Sequence, residues 1–252
     1  MVKHAGEISQ ETMGRLRAST LAQYSSVWSY AKTLSFAKAF LKYLTKMRLD
    51  TRYCAFELFL EMPKLLKKRM AVTSRIITYN DIENVLTHIK RAGLEGRITK
   101  ARALEYAAFI IFSAYSGQRS MATTAKLIVR QFRDALASEK PVIHVRANQD
   151  KIRYEYYVPL HPAVIDAITP LLRGRVGNEK IFSYHAISQW FKREKIPLTR
   201  LPSHFVLGDL RKFAEQYGDI IRWDQSNRAY IMTHGVSGID WKHYKQDARA
   251  RL

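Results

Sequence analysis

The chain has 252 residues, 47% of them hydrophobic, enough for one large domain or for one domain with a smaller companion. Its 42 Lys+Arg against 22 Asp+Glu leave a formal charge of +20, which suits a polyanionic partner because each neutralised phosphate releases condensed counterions. No apolar run approaches the roughly 18 residues of a spanning helix, no signal-peptide pattern opens the chain, and the single cysteine, Cys54, excludes an internal disulfide. A nucleic acid is therefore the expected partner, and an intracellular, cytoplasmic setting is expected.

Residues 1–20 are polar and read as a frayed start. From Leu21 to about Arg69 the pattern is helical: Tyr24, Trp28 and Ala31 recur at helical spacing, as do Phe36, Phe40, Leu41 and Leu44, followed by Phe56, Phe59 and Leu60. Apolar neighbours of Cys54 suggest a small core residue. Pro63 interrupts, and the basic cluster Lys64, Lys67, Lys68 and Arg69 follows. Residues 1–73 hold 13 basic and 5 acidic residues; they read as a small basic helical unit, although solvated lysine faces on a helix pair would give the same pattern.

After a junction at Thr73-Ser74-Arg75, Thr78-Tyr79-Asn80-Asp81 precedes Ile82, Val85, Leu86 and Ile89, a helix start with a threonine or asparagine cap. A long helix is expected over Lys100–Ser116, stopping at Gly117 in a left-handed cap, with Gln118-Arg119-Ser120 next and another helix from about Met121. The period changes over residues 141–160. Val142, His144 and Arg146 alternate with Ile143, Val145 and Ala147; Asn148-Gln149-Asp150-Lys151 has turn chemistry; and Tyr154–Val158 reads as a second strand. The result is a β-hairpin with Lys151 at or just after its turn. Short helices are expected near 162–172, 185–194, 205–217 and 225–233, and a last one should carry Tyr244. The fold class is mainly α with a small antiparallel β-hairpin.

Five residues along this course form an ordered set: Arg119, Lys151, Arg211, His234 and Tyr244. Tyr244 follows His234 by ten residues, and Arg211 precedes it by twenty-three. Such a set suits cleavage of a phosphodiester by a phenol. Charge that builds on the non-bridging oxygens needs fixed cationic donors, and arginine forks match those oxygens. A tyrosine forms a reversible phosphotyrosine, and a lysine in a hairpin can protonate the departing oxygen. No metal and no cofactor is required, and the eight histidines show no metal-ligand spacing.

Each residue also has a plainer reading. Tyr244 is one of 14 tyrosines, Arg119 could cap a helix end, Lys151 could be an exposed turn lysine with Lys140 as rival, and His234 could cap the preceding helix. Arg211 lies within an apolar helix and needs an anionic partner if buried, which Asp209 or Glu215 could supply. His243 could orient the phenol, and Trp241 could anchor its segment.

The chain resembles a tyrosine recombinase of the phage-integrase superfamily, most like the integrases of archaeal viruses and plasmids. Leu104–Leu127 is similar to the first arginine box, with Ser116-Gly117-Gln118-Arg119 where the family has Thr-Gly-x-Arg. Asp209-Leu210-Arg211-Lys212-Phe213-Ala214 resembles the second box, and Met232-Thr233-His234-Gly235 the Leu-Gly-His element. The likeness spans residues 74–248, with 20–73 resembling a shortened core-binding domain. It implies a core-binding domain at 1–73 and a catalytic domain at 74–252 that close round double-stranded DNA. It also implies a homo-oligomer, a tetramer on two duplexes, and a 3′-phosphotyrosine on Tyr244. Arg119, Arg211 and His234 would hold the scissile phosphate, and Lys151 would protonate the 5′ oxygen.

Three departures bear on activity. Gly208 stands where the family has His or Lys, with His204 either displaced by an insertion or, as we favour, a capping residue. Ala122 replaces the acid three after the first arginine, and only eight residues follow Tyr244, where relatives often have a longer docking tail. A catalytically weakened DNA-binding relative and a type IB topoisomerase-like relaxase are the alternatives. Arg15, Arg17, Arg48, Lys64, Lys67 and Lys68 are candidate phosphate contacts.

Overall fold

A computed structural model describes residues 8–24, 26–48, 50–61 and 75–233. The chain divides into two compact units, residues 1–74 and 75–252. Among the described residues no helix is long and apolar enough to cross a membrane.

The first unit contains α1 (Gln10–Gln23), α2 (Val27–Arg48) and α3 (Arg52–Ala55), which runs into a 3-10 turn at Phe56–Leu60. Residues 10–20 are helical and not a frayed start. Ser9 caps α1 by accepting from the Thr12 amide at 3.2 Å, satisfying a donor the helix leaves unpaired. The core is Met13, Tyr30, Leu34, Leu41, Leu44, Tyr53 and Leu60. α2 is apolar on more than one side, so periodicity alone misassigns part of it: Leu41 and Leu44 are buried, whereas Trp28, Phe36 and Phe40 are 63%, 67% and 52% exposed. Cys54 is exposed rather than a core residue, with its sulfur 3.4 Å from the Thr45 hydroxyl. Pro63 and the basic cluster after it lie outside the described residues.

The second unit is built round one buried helix. α4 (Tyr79–Leu94) and α5 (Lys100–Ser116) pack together, and α5 also packs against α7 (Pro162–Ile168) and α9 (Asp209–Ile220). α5 can be surrounded because it is apolar round most of its circumference: Tyr106, Ala108, Phe109, Ile110, Phe112 and Ala114 are buried. Phe109, Phe112, Phe132 and Phe182 meet edge-on or tilted at centroid separations of 5.2–6.3 Å. Thr99 caps the start of α5, and Gly117 at φ 64° ends it in the left-handed region.

Met121 does not begin a helix. The Thr123 and Thr124 amides return to the Arg119 carbonyl at 2.9 and 3.0 Å, and a 3-10 turn follows at Thr124–Lys126. The next residues are drawn straight by an antiparallel bridge between Ile128 and Lys180, so α6 starts only at Val129 and ends at Leu136. Strands β1 (Val142–Val145) and β2 (Tyr156–Pro159) pair antiparallel with Val142 opposite Pro159 and Val145 opposite Tyr156. Ile143, Val145, Tyr156 and Val158 face the core. β2 starts two residues later than the alternation suggests, so residues 146–155 form a long connection with a 3-10 turn at Ala147–Gln149.

Beyond the sheet, α7 becomes 3-10 at Thr169–Leu172, where Pro170 has no amide to continue the α ladder. α8 (Tyr184–Glu194) precedes α9, which begins at Asp209 rather than 205 because the Val206 amide is turned onto the Asp209 carboxylate at 2.9 Å. α10 (Gln225–Ile231) is the last described element. The expected helix bearing Tyr244 lies outside the described residues. The observed class is mainly helical with one small antiparallel sheet.

Asp81 pins α4 into this unit. It completes a capping box with Thr78, and its other oxygen accepts from the Thr199 amide and hydroxyl, each at 2.7 Å. Burial alone would raise its pKa, but the amide and hydroxyl donors of Thr199 and Thr78 outweigh burial and hold the carboxyl below its ordinary value. A carboxyl with a depressed folded pKa contributes stability above its unfolded value, near 3.8, and loses that contribution as pH falls through the folded pKa. Asp81→Asn has one acceptor for two sets of donors. It is expected to cost about 1–3 kcal/mol at pH 7. The gap in thermal midpoint from the parent, measured by circular dichroism, should shrink as the pH is taken below 3.8.

Candidate nucleic-acid interface

The two arginines singled out in the sequence come together. Arg119 leaves the end of α5 just after the left-handed turn at Gly117, and Arg211 projects from the first turns of α9, which packs on α5. Arg119 Nη1 donates to Thr233 Oγ1 at 2.6 Å and lies 3.4 Å from Asp150 Oδ1. Arg211 Nη1 donates to the Gly117 carbonyl at 2.9 Å, and Nη2 to the Met232 carbonyl. Residues 92 apart in sequence thus grip adjacent residues, Met232 and Thr233, at the end of α10.

Like charges meet here, and the carboxylates of Glu215, one turn along α9, and of Asp150 act on Arg211 to favour its charged form. The fully buried Asp209 carboxylate meets Arg75 at 2.8 Å. Burial, and next the positive charge of Arg119, push the Arg211 guanidinium down from its ordinary value to about 10. Two guanidinium forks within each other's field, one of them against the buried Asp150, make a site suited to an oxyanion.

Several residues hold the forks in place. Asp150 is buried and accepts from Thr123 Oγ1 at 3.1 Å as well as from Arg119. Gln118 donates to the Ile231 carbonyl at 2.8 Å and accepts from the Tyr156 hydroxyl at 2.6 Å, tying α5, β2 and α10 together. Burial and the Asp150 carboxylate push the Tyr156 phenol up, so it stays a neutral donor. Gly117 cannot be replaced without disturbance: a Cβ there would sit 2.9 Å from Met232 Cγ and 3.1 Å from Ala214 Cβ. Thr233 has φ 51°, uncommon for a β-branched residue and a store of local strain beside the arginines.

Lys151 is exposed in the 146–155 connection, one residue beyond Asp150, and its neighbourhood is anchored by the Ile152 amide on Asp150 Oδ2 at 2.9 Å. His204 is exposed in a bridge with Pro197 and caps no helix; the position before α9 is Gly208, where an added Cβ would meet nothing within 4 Å. His234, Trp241, His243 and Tyr244 lie outside the described residues. Sequence reasoning passed over Asp150, Thr123 and Tyr156. An aspartate in a turn is ordinarily solvated, and nothing local marks this one as buried under an arginine.

No protein-family profile matches the sequence, and no curated protein is similar to it in sequence. Among solved structures, the chain is similar to the integrase of transposon Tn1549 in complex with circular-intermediate DNA. The TM-score is 0.60 at 11% identity over 97% of this chain and 85% of that one. It is also similar to a lambda integrase tetramer bound to a Holliday junction, with a TM-score of 0.55 at 12% identity over 93% of this chain and 66% of that one. At this identity the likeness establishes a shared fold.

An oxyanion that enters between the forks should stabilise the folded chain. At tenfold its dissociation constant the gain is about 1.4 kcal/mol. Inorganic phosphate is therefore expected to raise the thermal midpoint of the parent above that in chloride of equal ionic strength, and to lose that increment in Arg211→Met. An equal phosphate increment in both proteins would show that the anion acts elsewhere.

Proposed function

We propose that the chain is a site-specific DNA recombinase, an integrase that cuts and rejoins DNA through a 3′-phosphotyrosine. The observation that carries the reading is the convergence of Arg119 and Arg211 on Met232 and Thr233, the residues immediately before His234. Its support comes from the integrase fold, from the net charge of +20, and from solved neighbours described as bound to circular-intermediate DNA and to a Holliday junction.

In this reading Arg119 and Arg211, with His234, hold the scissile phosphate and stabilise the charge that builds on its non-bridging oxygens. The Tyr244 phenol gives up its proton to solvent as its oxygen forms a bond to phosphorus, while the bond to the 5′ oxygen breaks, its electron pair staying on that oxygen. Lys151 supplies the proton the 5′ oxygen takes up. The phosphotyrosine conserves the phosphodiester energy, so a hydroxyl from another strand can reverse the step. Residues 1–73 form a core-binding domain and 74–252 the catalytic domain, which act on double-stranded DNA as a tetramer. The narrower likeness, to archaeal virus and plasmid integrases, stands on the sequence alone.

A second reading, a DNA-binding relative with weakened chemistry, draws on Gly208 and Ala122. The open space at Gly208 shows that packing does not exclude a basic side chain there. A nicked suicide duplex bearing the attachment site separates the readings. The expected result is a denaturation-resistant protein–DNA adduct that disappears in Tyr244→Phe and falls about 100-fold or more in Arg119→Ala and Arg211→Ala. Salt-dependent binding with no adduct selects the weakened relative. Relaxation of supercoiled plasmid lacking an attachment site selects a topoisomerase-like relaxase, and an adduct that survives Tyr244→Phe removes that residue as nucleophile.

A further inference from the structure

We infer that Asp150 is a positioning residue that couples the arginine site to the loop carrying Lys151, supplying from the β1–β2 connection the carboxylate that Ala122 lacks. The inference rests on the recombinase reading of the site. Asp150 is 3% exposed although the three residues after it in the loop are exposed, and its side chain is fully buried. Its two oxygens have separate tasks. Oδ1 collects Arg119 Nη1 at 3.4 Å, Thr123 Oγ1 at 3.1 Å and the Tyr156 hydroxyl at 3.5 Å. Oδ2 accepts the Ile152 amide at 2.9 Å, closing a turn across Lys151. One rigid planar group therefore fixes both the fork that would hold the phosphate and the backbone from which the proton donor projects.

Geometry of this kind matters because a proton donor must reach its oxygen within hydrogen-bond distance when the bond breaks. The Lys151 side chain is long and exposed, and no described residue bonds to or pairs with it. Its reach is set by the turn beneath it. The same carboxylate offsets part of the repulsion between the two guanidinium groups. Only a carboxylate can accept at both ends. An amide presents one acceptor and one donor, so it satisfies either the Arg119 side or the Ile152 amide and opposes the other.

The test uses the full chain in single-turnover cleavage of a suicide duplex. Two substrates are compared, one with the natural bridging 5′ oxygen and one with sulfur in that position, whose thiolate leaves without needing a proton. Asp150→Asn is expected to cleave the oxygen substrate about 30-fold more slowly than the parent and to recover at least about 5-fold of that on sulfur, in the direction of Lys151→Ala. Asp150→Glu, which keeps the charge, should restore part of the oxygen rate. If Asp150→Asn does not fold by circular dichroism, Thr123→Val, which removes one donor to Oδ1, should show the same sulfur preference more weakly. Equal slowing on both substrates, or no slowing, overturns the coupling while leaving the recombinase reading intact. Failure of the parent protein to form any adduct removes the recombinase reading itself, and this inference with it.

Discussion

Two guanidinium groups held close together in a partly buried site, one of them against a buried carboxylate, set the terms for the rest of the second unit. Like charges repel, and burial strips away the water that would screen them. The depressed pKa of Arg211 records both effects. The unit tolerates this because each fork is caged by acceptors that cannot move: carbonyls at the two helix ends, a threonine hydroxyl and a buried aspartate. Carbonyls carry only partial charge, so the two that Arg211 grips do not cancel its charge.

That cage depends on where helices stop. α5 ends at Gly117 in a left-handed turn, which frees the Gly117 carbonyl for Arg211 and sends the chain back so that Arg119 enters the same space. α10 ends so that the Met232 carbonyl and Thr233 hydroxyl face the same point, at the cost of a left-handed threonine. Gln118 and Tyr156 brace these ends against the sheet. A side chain at 117 would strike Met232, just after α10, and Ala214 on α9. Helix termination and site assembly are linked here, because carbonyls left unpaired at helix ends are the ones Arg211 uses.

Features that depend on near neighbours in sequence were legible. The helix start near Thr78 and Asp81, the Lys100–Ser116 helix closed by Gly117, and a β-hairpin within 141–160 all follow from local chemistry, though not the exact strand ends. Features set by distant partners were not. Residues after Met121 stay out of a helix because Ile128 is claimed by Lys180, and α9 starts late because Asp209 takes the Val206 amide. In α2 the apolar residues outnumber the positions one face can bury, so only packing decides that Leu41 goes in and Phe40 stays out.

The ordered basic, histidine and tyrosine residues, the excess of positive charge and the helix-ending glycine belong to the sequence by itself, since composition, spacing and backbone preference are local quantities. Tertiary structure decided that Arg119 and Arg211 share one space, that Asp209 serves Arg75 instead of Arg211, and that a turn aspartate next to Lys151 is buried under an arginine. The physical reason is that electrostatic partnership falls off over a few ångströms of space, whereas the residues that become partners are separated by 31 to more than 100 positions along the chain.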